Sequence, residues 1–306
     1  MREDGLVGRS VEEVVAAVAD EDGPTPDRVR EALDPVVEDG RVTRDAVEAA
    51  VTDTAMVVST AETRTERAVH AFADAREAAA PVADVDTVAA RLDGYAARLD
   101  AVEERSANLT DDLARPVGRL DGDEVYDLAV EVREVASHAQ GVVRTADDLA
   151  FDLDEFESWL ANPSRRHDEF GGDADLVAES VADLEAAADA VPDADDPAAE
   201  WADATMRVRV LDLVVRDLAA ELDDLHTLAD GDATVPADLD ERVADLDERT
   251  DALAERLSAA AEPSYRDRFG DDVAALAEAL SAFEAPVDWA AVEATLDDRR
   301  AAAFGG

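Results

Sequence analysis

The stretch VYDLAVEVREVASHAQGVVRTADDLAFDLDEFESWL, Val125 to Leu160, decides the fold. Its apolar residues recur at alternating steps of three and four: Val125, Leu128, Val132, Val135, Ala139, Val142, Ala146, Leu149, Leu153, Phe156 and Leu160. Steps that average three and a half residues keep one narrow apolar seam on one side of an α-helix. A helix over this span is about 54 Å long at 1.5 Å per residue, beyond the length of a typical globular helix. Such a rod needs partners of its own length, and the sequence supplies them.

Upstream, Val85, Val88, Leu92, Tyr95, Leu99, Val102, Leu109 and Leu113 repeat the rhythm, with the polar Ser106 standing in the seam. Pro116-Val117-Gly118-Arg119-Leu120-Asp121-Gly122 separates the two runs and predicts the turn of an antiparallel helical hairpin. Downstream, Trp201, Ala204, Val208, Leu211, Val215, Leu218, Leu222 and Leu225 form a third seam, widened by Val210, Leu213 and Val214. A wider stripe implies burial against several neighbours, which makes this the expected central helix. Leu239, Val243, Leu246, Leu253 and Leu257 give a fourth seam, with Thr250 as its weak position, and shorter segments lie around 177–188, 273–283 and 289–296. Period-two alternation is missing, and so is Ile. At most one short hairpin is expected, at Val36–Val42, where Asp39-Gly40 suits a tight turn. The reading is therefore all-α: an elongated multi-helix bundle of coiled-coil-like antiparallel helices behind a small N-terminal helix-loop-helix or winged-helix-like unit. The expected division is 1–58 and 59–306.

The chain has 306 residues, with 77 Asp plus Glu against 28 basic residues, all Arg, for a formal net charge of -49. In molar salt the screening length shrinks to about 3 Å, where such a charge becomes tolerable to a compact state, so a halophile's cytoplasm is the expected setting. Apolar residues make up 47% of the chain and fall in regular spacings, which argues against disorder. With no Cys, disulfides, thiolate metal sites and Cys nucleophiles are excluded. The start, Met1-Arg2-Glu3-Asp4, is acidic and is read as no secretory signal. The most apolar stretch, Val208 to Leu218, is broken by Arg209, Asp212, Arg216 and Asp217, so no membrane insertion is expected.

At the N-terminus, Ser10-Val11-Glu12-Glu13 reads as a capping box opening one short helix, and Pro26 suits the first turn of a second, ending near Leu33. Two helices followed by Asp39-Gly40-Arg41-Val42 resemble the second half of a winged-helix domain. There Arg28, Arg30, Arg41 and Arg44 would neutralise phosphates, although Asp27, Glu31, Asp34, Glu38 and Asp39 interrupt them. An EF-hand reading fails, since it places Pro35 at the first ligand position and Ala46 where a bidentate Glu belongs. A third helix is expected from Thr43, breaking near Val58 where Ser59-Thr60-Ala61-Glu62 offers a second capping box.

Two junctions look alike: Pro163-Ser164-Arg165-Arg166-His167-Asp168-Glu169-Phe170-Gly171-Gly172-Asp173 and Pro263-Ser264-Tyr265-Arg266-Asp267-Arg268-Phe269-Gly270-Asp271-Asp272. They suggest a duplicated helix-loop-helix, about 125–190 and 239–300, in which Pro ends one helix and Asp173 or Asp271 caps the next. Arg165, Arg166, Arg266 and Arg268 are the candidate binding residues, because guanidinium forks suit carboxylate or phosphate. The competing reading pairs them with Asp168, Glu169 and Asp267 nearby.

Catalytic and metal chemistry finds no foothold. No Glu-x-x-His pair recurs on two helices; Arg67, Val135 and Ser164 stand three before His70, His138 and His167, and only Asp223 with His226 approaches the spacing. Phosphate-binding glycine loops and Gly-x-Ser-x-Gly are absent, so no cofactor, no metal and no catalytic residue is expected. Acid clusters such as Asp193, Asp195 and Asp196, or Asp121, Asp123 and Glu124, read as solvated surface.

The segments Asp39-Gly40-Arg41-Val42-Thr43-Arg44-Asp45-Ala46-Val47-Glu48, Val57-Val58-Ser59-Thr60-Ala61-Glu62-Thr63-Arg64 and Ala78-Ala79-Ala80-Pro81-Val82-Ala83-Asp84 resemble the haloarchaeal family labelled halo transducer protein. The resemblance implies a cytosolic helical protein associated with sensory signalling. A methyl-accepting transducer would show transmembrane helices and a Gln- and Asn-rich tip, and neither is present: Gln140, Asn108 and Asn162 are the chain's whole complement. The expectation is a non-catalytic interaction protein whose partner is another protein, as monomer or homo-oligomer, with a DNA-associated regulator as the alternative.

Overall fold

The computed structural model describes residues 7–19, 24–117, 125–229 and 234–304. Among them ten helices follow one another: α1 (Val11–Val18), α2 (Pro26–Leu33), α3 (Arg44–Ala79), α4 (Asp86–Val117), α5 (Val125–Ala161), α6 (Pro163–Ala190), α7 (Pro197–Thr227), α8 (Ala237–Ala260), α9 (Pro263–Leu280) and α10 (Trp289–Phe304). One two-stranded antiparallel ladder, β1 (Val37–Glu38) and β2 (Arg41–Val42), is the only sheet among the described residues. The fold is an all-α multi-helix bundle. The chain groups into two compact units, one of residues 1–78 and 92–157, the other of 79–91 and 158–306.

In the first unit the predicted hairpin forms with Asp39 at φ 49° and Gly40 at φ 75°. Both turn residues have positive φ, the condition for a two-residue loop that matches strand twist. Ser10 closes the expected capping box with Glu13, and the chain ahead of α1 pairs with β2 through Gly8 N–H to Val42 O and Val42 N–H to Arg9 O. These first elements do not form a core of their own: Val14, Val29, Leu33 and Val42 share a buried cluster with Val47 and Val51 of α3 and with Val125, Leu128, Ala129 and Val132 of α5. That sharing places residues 1–58 in one unit with most of α3, α4 and α5, a different division from the expected one at residue 58.

The break expected near Val58 is corrected. α3 runs unbroken from Arg44 to Ala79, and Thr60 and Thr63 turn their hydroxyls back onto the carbonyls of Met56 and Ser59 instead of capping a new start. Val58 and Ala61 are buried against Val135, Ala139 and Val142 of α5 and against Val102 and Leu109 of α4, a core that a kink would open. Arg98 of α4 pairs with Asp152 of α5 at 2.7 Å, while Tyr95 meets Phe156 with ring centroids 5.5 Å apart, so these helices run antiparallel as the seams required. α3 runs parallel to α5: Val51 shares a buried cluster with Val132, and further along both helices Arg64 pairs with Asp147 at 3.2 Å. Residues 118–122 of the predicted turn lie outside the described residues.

The second unit is organised by α7, which packs on α6, α8 and α9. The eight residues of its predicted seam are all buried, and Leu213 is buried as well, which supplies the extra width. Trp201 fixes the packing with α8 by donating its indole N–H to Leu257 O at 2.9 Å. On α8 one Arg per heptad, Arg242, Arg249 and Arg256, pairs with Asp175, Glu185 and Asp189 of α6, so α6 and α8 run parallel with their register written in charge. α9 and α10 close the unit through Leu276, Leu280 and Val292 against Met206 and Leu213.

The two twin junctions are also corrected. Neither is a loop: Pro163 and Pro263 open α6 and α9, and Asp173 and Asp271 lie inside those helices rather than capping them. Proline at the first helical position costs nothing, since its missing N–H would have been unpaired there. Asn162 accepts from Ser164 N–H and Arg165 N–H as the actual N-cap of α6, and Phe170 and Phe269 are buried within their helices.

Candidate functional site

Three of the four candidate arginines of the twin junctions make contacts that tie helices together. Arg166 is buried and donates to Trp159 O at 3.0 Å and Leu160 O at 2.7 Å, closing the carbonyl end of α5. Burial holds its pKa below the usual arginine value. Arg266, also three residues past its proline, donates to Ser258 O near the end of α8 at 2.8 Å. Arg268 binds both carboxylate oxygens of Asp196, at 2.9 and 2.8 Å, and that hydrogen bond is the first cause of the lowered pKa of Asp196, the N-cap of α7. Arg165 sits in the first turn of α6, half-buried. Of the acids expected to pair with them, Glu169 binds Arg91 instead, at 2.8 Å.

Of the arginines proposed for phosphate, Arg30 is held by Glu12 and Asp27, Arg41 donates to Gly8 O, and Arg44 pairs with Glu48. Arg28 is exposed beside Glu31, Arg133 and Glu134 along a cleft of about 600 Å³. The outward side of α2 thus alternates acid and base.

The second unit has a cleft of about 310 Å³ lined by Asp86, Thr87, Arg91, Asp217, Glu221, Asp224 and Trp289. Three of its carboxylates, Asp217, Glu221 and Asp224, are tied down. Asp224 accepts from Thr87 N–H and Oγ1 at 2.7 and 2.6 Å, and Asp217 accepts from Val287 N–H and Trp289 Nε1 at 3.0 and 2.9 Å. Arg91 lies 4.3 Å over the Trp159 ring and serves Glu169 and Glu221 together. Burial pushes the Glu221 carboxyl up, as it does that of Asp173, with Arg91 pulling both back. This cluster joins the start of α4 to α6 and α7. Among the described residues no group of His, Asp or Glu has a metal-holding arrangement.

The first unit also exposes apolar side chains. In the first unit a groove of about 560 Å³ runs between α3 and α5, lined by Asp53, Met56, Val57, Thr60, Gln140, Val143 and Arg144. Met56 is 58% exposed, and Phe151, eleven residues beyond Gln140 on the same side of α5, is 62% exposed. Sequence reasoning missed these residues because it followed the seams, and Met56, Val143 and Phe151 lie off them. A signal was present. Acids occupy one residue in four of the chain, 77 of 306, yet none occurs in TAMVVSTA, residues 54–61, or in VASHAQGVVRTA, residues 135–146. The fold sets these two acid-free runs side by side, because α3 and α5 are parallel with Val58 and Ala61 against Val135, Ala139 and Val142. Asp53 and Arg144, the two charges on the groove, are exposed and have no ion-pair partner among the described residues.

No family model, no curated protein and no solved structure matches the chain. Among the described residues no helix is long and apolar enough to cross a membrane.

Proposed function

We propose that the chain is a non-catalytic helical interaction protein of a salt-rich cytoplasm, a scaffold that engages another protein through the α3/α5 groove. The observation that carries this reading is the partly exposed apolar set of Met56, Val57 and Val143 where the two acid-free runs meet, with Phe151 exposed further along α5. Carboxylates keep a halophilic surface hydrated and apart from its neighbours, whereas an apolar face free of them favours association, all the more in molar salt. Signalling is the setting that the family resemblance implies.

The test compares the tagged chain with its Met56→Arg, Phe151→Glu variant for proteins retained from a lysate kept in 3 M KCl. A protein held by the parent and lost from the variant is the expected result. An identical retained set for both overturns the reading. The regulator alternative draws support from one observation, the order of a paired segment at residues 8–10, two helices and a β-hairpin. Its test is duplex DNA binding in 1 M KCl by the parent and by Arg28→Glu, and absence of binding by the parent removes it.

A further inference from the structure

Independently of the α3/α5 groove, we infer that the α7/α9 face beneath α10 is a second docking seat, held shut by α10, and that the partner it takes is an amphipathic helix carrying α10's own pattern. The argument starts from spacing. Beside its central seam, α7 carries another line of residues at steps of three and four: Asp203, Met206, Val210, Leu213 and Asp217. An apolar stripe is thus bracketed by a carboxylate at each end. α10 carries the converse, Trp289, Val292, Leu296 and Arg300, with a hydrogen-bond donor at each end and apolar residues between. The two lines meet antiparallel. Trp289 donates its indole N–H to Asp217 at 2.9 Å and Arg300 pairs with Asp203, while Val292 and Leu296 join Met206, Val210 and Leu213 in one cluster that Leu276 and Leu280 of α9 complete. The spans agree, at about 21 Å from Asp203 to Asp217 and about 17 Å from Trp289 to Arg300, with the long arginine side chain covering the difference.

α10 is lightly held. Among its described side chains only Val292 is buried, whereas α8, which also packs on α7, buries six. The Arg300 to Asp203 pair keeps enough contact with solvent, 41% and 28% of the two side chains, for molar salt to screen it. Elements with few buried contacts open while the rest of a fold persists. When α10 lifts, Met206, Leu213, Leu276 and Leu280 lose their cover on that side and become an apolar groove between two helices, the kind of surface that takes an amphipathic helix. Asp203 and Asp217 then choose among helices. One that covers them without bringing a donor or cation to each leaves two carboxylates desolvated and unpaired, which counts against it.

Hydrogen exchange of the full chain in 3 M KCl reads the lifting directly. Amides of residues 293–303 are expected to exchange at least about 100-fold faster than those of residues 206–218, through an opening separate from global unfolding. A labelled peptide with the sequence of residues 286–304 then probes the seat by fluorescence anisotropy. In the parent it competes with a tethered copy of itself at an effective concentration on the order of 1 mM, so its binding is weak. In the Val292→Asp chain, whose own α10 no longer seats, the same peptide is expected to bind at least about tenfold more tightly, with α7 and α9 still protected from exchange. The peptide carrying Trp289→Phe lacks the donor for Asp217 and is expected to bind that chain several-fold more weakly. Equal protection of α10 and α7, loss of protection throughout α7 and α9 on Val292→Asp, or equal peptide binding by the two chains overturns the inference. A peptide indifferent to Trp289→Phe overturns the selecting role of the carboxylates. No outcome depends on Met56 or Phe151, so this seat and the α3/α5 reading fail separately.

Discussion

Among the described residues, Arg91 is the cation against which Glu169 and the half-buried Glu221 lean, with Asp173 nearby and the Trp159 ring beneath it. Glu221 and Asp173 bind their protons more tightly in the folded chain than in the unfolded one, because burial penalises the charged form. For such a raised carboxyl the penalty is absent below the unfolded value, near pH 4, and complete once pH has passed the folded value. Glu221→Gln should therefore melt like the parent below the unfolded value and gain on it as the pH rises, levelling off once the folded value is passed, as thermal melts in 3 M KCl would show. A constant difference across that range would mean the charge is not the cause. Arg91→Leu leaves the carboxyls uncompensated and should cost about 2 kcal/mol by urea titration in the same salt. At this scale the sequence was poorly legible: Arg91, Glu169 and Glu221 lie on three helices, and no spacing along the chain brings them together. The roles of Arg166 and Arg266 were illegible for a related reason, since a guanidinium that closes a helix end looks, in sequence, like one waiting for an anion.

Among the elements, seams were readable and junctions were not. Val125 through Phe156 is buried residue for residue at the predicted positions. At the end of that seam, Leu160 is half-buried and Trp159 takes the buried place, capped by the Arg166 head group. Burial of a stripe follows from local periodicity alone. Whether Pro163 closes one helix or opens the next depends on what Phe170 and Arg166 pack against, which is long-range information. Ser59-Thr60-Ala61-Glu62 misled in the same way, a good local cap overridden by Val58 and Ala61 in the core. The weak position in the α8 seam is a case where local and tertiary readings agree. Thr250 is 2% exposed and its hydroxyl has no hydrogen-bond partner. Thr250→Val removes a buried unpaired polar atom with little change of shape and should stabilise the chain by about 1 kcal/mol, measured by urea titration at 3 M KCl. A loss of stability would mean that the hydroxyl is satisfied in solution.

Over the whole molecule, ion pairing cannot cancel the charge. Even if each of the 28 arginines neutralised one acid, 49 carboxylates would remain without a cation of the chain's own. Diluting salt acts on two opposed terms. It strengthens local pairs such as the three from α8 to α6, but it also lengthens the screening distance from about 3 Å at 1 M to about 10 Å at 0.1 M, letting each unpaired carboxylate feel neighbours beyond its own helix. Exposed pairs contribute at most about 1 kcal/mol each. The repulsion is shared among many more charges than those pairs contain, so the second term wins. Apolar burial weakens in the same direction as salt is withdrawn. The melting temperature should therefore fall continuously as KCl is lowered from 3 M, with helicity at 222 nm lost below about 1 M at constant temperature. Sodium and potassium chloride should act alike at equal ionic strength, because screening does not distinguish them. Full helicity and an unchanged melting temperature at 0.1 M would show that the acid excess is borne by the fold without help from the solvent, and the halophilic setting would lose its physical basis.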